Sequence, residues 1–170
     1  EEKRRQVAAY RWFHSMDLGD GVMSKGIKPP ERLAFQAERI FRYPIAGQSV
    51  LDIGCWDGFF AFEAKRRGAS RVLAADHHVW VHGWGKKAAF ELARRCIDPS
   101  VELQEIELEK MTPESVGEFD VVLHLGILNH LKNPLAAVEQ AAALTRRMLV
   151  VETHVATSLP AEPPAMRFYP

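Results

Sequence analysis

Cysteine is scarce in this chain: there are two, Cys55 and Cys96, and neither stands in a Cys-x-x-Cys pair. That is too few for a disulfide framework, so both are expected as free thiols. Long apolar runs are missing as well. No uninterrupted stretch approaches the ~20 residues of a membrane-spanning helix, and Glu1-Glu2-Lys3-Arg4-Arg5 lacks the apolar segment of a secretion signal. No membrane partner is expected, and the expected location is cytoplasmic. Excess charge is also lacking, since 22 Lys and Arg balance 22 Asp and Glu. No global positive field therefore draws the chain to nucleic acid, although a local patch such as Arg66, Arg67 and Arg71 would suffice for an RNA partner. What remains, 170 residues at 47% hydrophobic content, suits a single soluble globular core.

The pattern along the chain divides at residue 48. A first helix is predicted from about Glu2 to Tyr10, followed by a Gly-rich stretch, LGDGVMSKGIKPP, that regular elements tolerate poorly. Pro29 and Pro30 open a second helix, in which Leu33, Ala37, Ile40 and Phe41 recur at helical spacing before Pro44 stops it. Residues 1–48 thus read as a helical cover. From Ser49 short aliphatic runs alternate with amphipathic segments, giving strands at 49–53, 71–76, 101–108, 119–125 and 148–154, and helices at about 59–67, 85–95 and 134–146. Asn133 is placed to cap the last helix, with Pro134 at its first position. Strands separated by helices imply parallel pairing through right-handed crossovers, hence an α/β doubly wound, mostly parallel sheet over residues 49–154.

The strongest chemical signal is VLDIGCWDGFF, residues 50–60. A buried strand ends at Asp52-Ile53-Gly54, the chain turns through Cys55-Trp56-Asp57-Gly58, and a helix begins at Phe59. Glycines at such a turn let the backbone approach a ligand, and the helix start offers free N–H groups. Gly58 is expected beside the ligand, where a side chain would intrude. Asp76 ends the next strand 18 residues beyond Gly58, where nucleotide-binding α/β units place an acid to accept hydrogen bonds from ribose hydroxyls. A dinucleotide turn would read Gly-x-Gly-x-x-Gly, and a third matching glycine is absent here.

The arrangement Asp52-x-Gly54-x-x-x-Gly58 instead resembles motif I of class I S-adenosylmethionine-dependent methyltransferases, with Trp56 in place of the usual middle glycine. More particularly, WFHSMDLGDGV, VLDIGCWDGFFAFEAKRRGASRVLAAD, HLGILNHLKNPLAAVEQ, VVETH and AMRFYP resemble the bacterial methyltransferases grouped with the tRNA wobble-uridine family. The resemblance implies a Rossmann-like fold, S-adenosyl-L-methionine as cofactor, and a small-molecule or tRNA acceptor. It also implies two further strands beyond the fifth, so the Pro-rich tail 155–170 is expected to lead into a part beyond residue 170. Family members that transfer a carboxymethyl group carry Tyr-His-Arg after the fourth strand. Asn129-His130-Leu131 stands here, which favours the plain methyl donor.

On this reading Asp52, Gly54, Trp56, Asp57 and Gly58 form the cofactor turn, Asp76 and His77 lie at the ribose, and Ile106 and Glu107 at the adenine. His124, Leu125 and Gly126 reach the methionine end, and Trp80 and Trp84 are placed to cover the adenosine. The acceptor side is assigned to Asn129, His130, His154 at the end of the fifth strand, and His14 from the cover. A metal among His77, His78 and His82 is not expected, because no companion carboxylate or cysteine stands at a ligand spacing except Asp76. An NAD-type oxidoreductase domain and a non-catalytic S-adenosylmethionine-binding module are the competing functions. Oligomeric state is not legible.

Overall fold

A computed structural model describes residues 1–155 and 157; Ala156 and the tail 158–170, with its AMRFYP stretch, lie outside the described residues. Helix α1 (Glu2–Ala8) leads into strand β1 (Trp12–His14), which pairs in parallel with β2 (Gly26–Lys28). Helix α2 (Pro30–Ile40) follows, with Pro29 extended before it and proline tolerated at its first turn, where an N–H has no partner to lose. The two-stranded ribbon was not legible. It forms partly inside the Gly-rich stretch because Gly26 leaves room for the His14 backbone, which any side chain there would meet.

Five parallel strands make the main sheet in the order β5-β4-β3-β6-β7: β3 (Ser49–Ile53), β4 (Arg71–Asp76), β5 (Glu102–Glu105), β6 (Phe119–Leu125) and β7 (Thr145–Glu152). The central strands are apolar on both faces because helices cover both. On one face α3 (Phe59–Arg66), α5 (Lys87–Ile97) and the N-terminal cover pack Phe62, Phe90, Leu33 and Val7 with Val50, Val72 and Val121. On the other, α6 (Pro113–Val116) and α7 (Pro134–Ala143) pack Val116, Ala141 and Leu144 with Leu51, Leu73 and Val122. Asn133 caps α7 through a 3.1 Å bond from the Ala136 N–H, as its sequence position implies. A short helix α4 (His78–Val81) follows β4.

Two strand bounds differ from expectation. β5 stops at Glu105, because pairing with β4 ends at Asp76. β7 begins and ends earlier than 148–154: its ladder with β6 runs to Leu125↔Glu152, where Gly126 turns away with φ 69°. His154 therefore does not end the fifth strand but stands exposed two residues past it. Among the described residues no helix is long and apolar enough to cross a membrane.

Candidate cofactor and acceptor site

The carboxyl ends of β3, β4 and β6 meet at the glycine turn, the crevice in which doubly wound sheets hold ligands. After Ile53 the chain turns at Gly54 (φ 69°), whose N–H and that of Cys55 bond the Ala75 carbonyl at 2.8 and 3.2 Å. Trp56 then adopts a left-handed conformation (φ 55°) that costs a bulky residue energy unless its surroundings hold it. They do so. Asp76 accepts the Trp56 N–H at 2.9 Å, and the Trp80 indole donates to the Trp56 carbonyl at 2.7 Å. The Trp56 ring stacks on Phe13 (4.1 Å between centroids, 12° between planes) and meets the edge of Trp84 at 5.0 Å.

Asp52 is buried, and its Oδ2 has no hydrogen-bond partner among the described residues. Burial, with the like charge of Asp76 adding to it, pushes its carboxyl up to about 8 against a backbone hydrogen bond at Ala61 that pulls the other way. Asp76, also buried, bonds the Val79 N–H at 3.1 Å as well as Trp56. Burial raises its proton affinity, opposed by the backbone N–H groups of Trp56, Val79 and His77 and by His78. The two buried acids lie at a turn rich in left-handed backbone.

Other expected contacts fall out differently. The Asp57 carboxylate, rather than facing a ligand, holds the cover to the turn: it accepts the Phe13 and His14 N–H groups at 2.7 and 3.1 Å and pairs with the His14 ring Nδ1. His14 is consequently buried against Phe59 and Phe60, anchored rather than free at the cover's edge. Gly58 (φ 90°) faces the core: a side chain would meet the Phe90 and Phe62 rings at 2.6 and 2.8 Å. Trp80 is a core residue against Phe90, not an open cover, whereas Trp84 is exposed.

Ile106 donates its N–H to the Asp76 carbonyl at 3.1 Å and packs beside Leu108, bringing the end of β5 to the site. Glu107 lies 3.6 Å from His77 and 3.0 Å from Lys110, whose hydrogen bond holds its carboxyl below the usual range. Leu125 and Gly126 stand at the end of β6, while Asn129 and His130 are exposed on the 3-10 turn 128–130 that follows. A groove of about 500 Å³ between Tyr10, Arg11, Trp12, Lys25, Ile27 and Trp84 includes none of the strand-end groups.

Three residues near the site escaped the sequence reading. Phe13 carries the stack on Trp56, Lys28 lies over the Phe13 ring, and Glu152 lies beside the β6 end. His124 was placed by its strand, but not the fact that it is buried with both ring nitrogens unpartnered among the described residues, which depresses its basicity. Only His14 within WFH signalled that the first ribbon bears on the site.

Comparison with known proteins agrees with this geometry. Residues 28–167 match the family model described as a methyltransferase domain. Similar curated proteins are the ubiquinone biosynthesis O-methyltransferases of Albidiferax ferrireducens (33% identical over 103 residues, 61% of this chain and 39% of that protein) and Pseudomonas aeruginosa (32% over 105 residues, 62% and 43%). The chain thus spans about two fifths of the length of the curated relatives it matches. The fold is shared with the N-terminal domain of EvdMO1, solved with SAH and D-fucose (TM-score 0.64, 20% identity, 88% of this chain and 62% of that one). It is also shared with magnesium protoporphyrin IX methyltransferase from Synechocystis, solved with SAM (TM-score 0.56, 18% identity, 71% and 56%). With the family model covering most of its length over this sheet and turn, the chain belongs to the methyltransferase domain family.

Proposed function

We propose that this domain uses S-adenosylmethionine to methylate an oxygen or nitrogen of a small-molecule acceptor. The observation that carries the reading is the buried Asp52 oxygen without a partner, set beside Asp76 at a left-handed glycine turn. An uncompensated buried carboxylate is costly unless a positive group joins it, and the sulfonium and ammonium of this donor are such groups. NAD-type cofactors bring no comparable pair of cationic centres to this end of the turn.

In this reading Asp76 receives the ribose hydroxyls and Ile106 and Glu107 border the adenine, with His77 beside them. Gly54, Trp56 and Gly58 shape the turn, and Leu125 and Gly126 leave space at the methionine end. The bound donor supplies an electrophilic methyl group on a good leaving sulfur. The chain's own part is to align the acceptor and exclude water, which the Phe13, Trp56 and Trp84 rings do on the cover side. The O-methyltransferase relatives favour a small acceptor. The Trp-Asp-Gly-Phe resemblance makes tRNA wobble uridine the competing substrate, and assays with each acceptor class distinguish them.

Calorimetry on Asp76→Ala tests the ribose assignment. Loss of a charged hydrogen-bond acceptor worth about 1.5–3 kcal/mol should weaken S-adenosylmethionine binding roughly 10- to 100-fold. An unchanged Kd in the folded variant contradicts it. On the acceptor side, His130 is the proposed base or orienting group. His130→Ala should lower kcat by about 10²–10⁴ with cofactor affinity kept, and near-parental turnover by His130→Asn would remove the basic role.

A further inference from the structure

Lys28 closes β2 in register with His14, and its side chain is half-buried. The ammonium lies 4.9 Å from the centre of the Phe13 ring and 6.0 Å from that of Phe60. Because Phe13 stacks on Trp56, the ribbon delivers this nitrogen to the rim of the glycine turn. The charged groups acting on it are Glu152 at the end of β7, Arg32 on α2 and Asp57 at the start of α3, and none of the ion pairs among the described residues includes it. Glu152 closes the β7 ladder opposite Leu125, and its Oε2 lies 3.5 Å from where a side chain on Gly126 would begin. These groups come from opposite sides of the β6 end: Asp57 from the β3 side, Glu152 from the β7 side, Lys28 and Arg32 from the cover.

The charges here decide the kind of acceptor that fits. Asp57 is already taken by His14 and two backbone N–H groups, so it offers Lys28 little. Burial and Arg32 both make the ammonium costly, while Glu152 opposes them. An anionic oxygen placed against Lys28 relieves that cost, and a protonated amine would add a third positive charge. The partly exposed Phe13 ring beside the ammonium supplies an apolar wall that suits a flat ring, with buried Phe60 behind it.

We propose that Lys28 orients the acceptor and selects one with an acidic hydroxyl, a phenol or enol, held as its oxyanion against the Lys28 ammonium. This rests on the methyl-transfer reading above and narrows its acceptor to oxygen. The hydroxyl proton leaves to solvent as the acceptor binds. An oxygen lone pair then forms the O–CH3 bond while the carbon–sulfur pair returns to sulfur, which becomes neutral.

The test uses 4-nitrocatechol as probe, whose absorbance reports its own ionisation, titrated with pH in the presence of saturating S-adenosylhomocysteine. In the parent the bound probe should ionise about one pH unit below its free value, the shift that one nearby unit charge typically produces. Lys28→Arg should keep the shift and Lys28→Met should lose it, with S-adenosylhomocysteine affinity measured by calorimetry unchanged in both. Equal ionisation in the parent and Lys28→Met, or no probe binding to the parent complex, overturns the proposal. If S-adenosylhomocysteine itself fails to bind the parent, the methyl-transfer reading fails first, and the two failures are thereby separate.

Discussion

Asp52→Asn is expected to stabilise the free protein at neutral pH while weakening S-adenosylmethionine binding by about 30- to 4,000-fold. The two effects share one cause. The Asp52 carboxyl is raised to about 8 in the fold and sits near its ordinary value of about 3.9 when unfolded. A raised acid binds its proton more tightly in the folded state, so its contribution is fully present below pH about 4 and is lost as pH rises through 8. Near pH 7 the unfolded chain is ionised while the fold retains the proton, which costs on the order of 2–4 kcal/mol and, at about 2–4 °C per kcal/mol, about 4–16 °C in melting temperature. Asparagine removes that cost, and scanning calorimetry from pH 5 to 8 should show a flatter profile than the parent. The residual slope combines Asp76, which burial shifts in the same direction, with His124, whose depressed basicity acts in the opposite one.

The binding loss follows because the cation loses a buried carboxylate, a truncation that typically costs about 2–5 kcal/mol. Parental binding at pH 7 should also release about one proton, since Asp52 ionises as the cation arrives, and Asp52→Asn should release none. A variant that melts lower than the parent and binds equally well would show that Asp52 is an ordinary strand residue.

Gly58→Val has the largest expected effect on folding. Valine must adopt φ 90° with its branched Cβ driven into the edges of Phe90 and Phe62, at 2.6 and 2.8 Å. The left-handed backbone costs about 1–2 kcal/mol and overpacking about 1–3 more. Together they amount to about 2–5 kcal/mol, which should lower the melting temperature by on the order of 5–20 °C or abolish a cooperative transition. Circular dichroism melts decide it, and a melting temperature within about 2 °C of the parent would contradict the packing assignment.

Gly58 also shows where the sequence stops being informative. Its position in the turn was legible from the spacing Asp52, Gly54, Gly58, but the direction of the missing side chain was not. That direction depends on Phe90, which comes from another helix 32 residues later. The alternation of aliphatic runs and amphipathic helices set the parallel sheet, because strands buried on both faces leave long apolar signatures that local turns cannot blur. The first ribbon was hidden for the opposite reason. β1 and β2 are three residues each, too short for periodicity, and their pairing is stabilised by Asp57 from 43 residues away.

The same limit explains the site. Asp76 ends its strand and Asp52 stands one residue before the end of β3, where position alone indicates a ligand edge. Lys28 and Glu152 carry no motif, and only the register of β1 with β2 brings Lys28 beside His14 and the Phe13 ring, and that of β6 with β7 brings Glu152 to the β6 end. Asp57 was read as a ligand contact since it lies in the turn, yet its oxygens are claimed by β1. A short polar side chain at a turn serves whichever neighbour the fold supplies, and sequence spacing does not name that neighbour.

The most direct test of the central claim is an isothermal titration of this domain with S-adenosylmethionine beside one with NADH. The arrangement of Asp52, Asp76 and the glycine turn predicts saturable one-site binding of S-adenosylmethionine, weakened at least about 30-fold in Asp52→Asn, and no heat from NADH. Saturable binding of NADH with none of S-adenosylmethionine would contradict it.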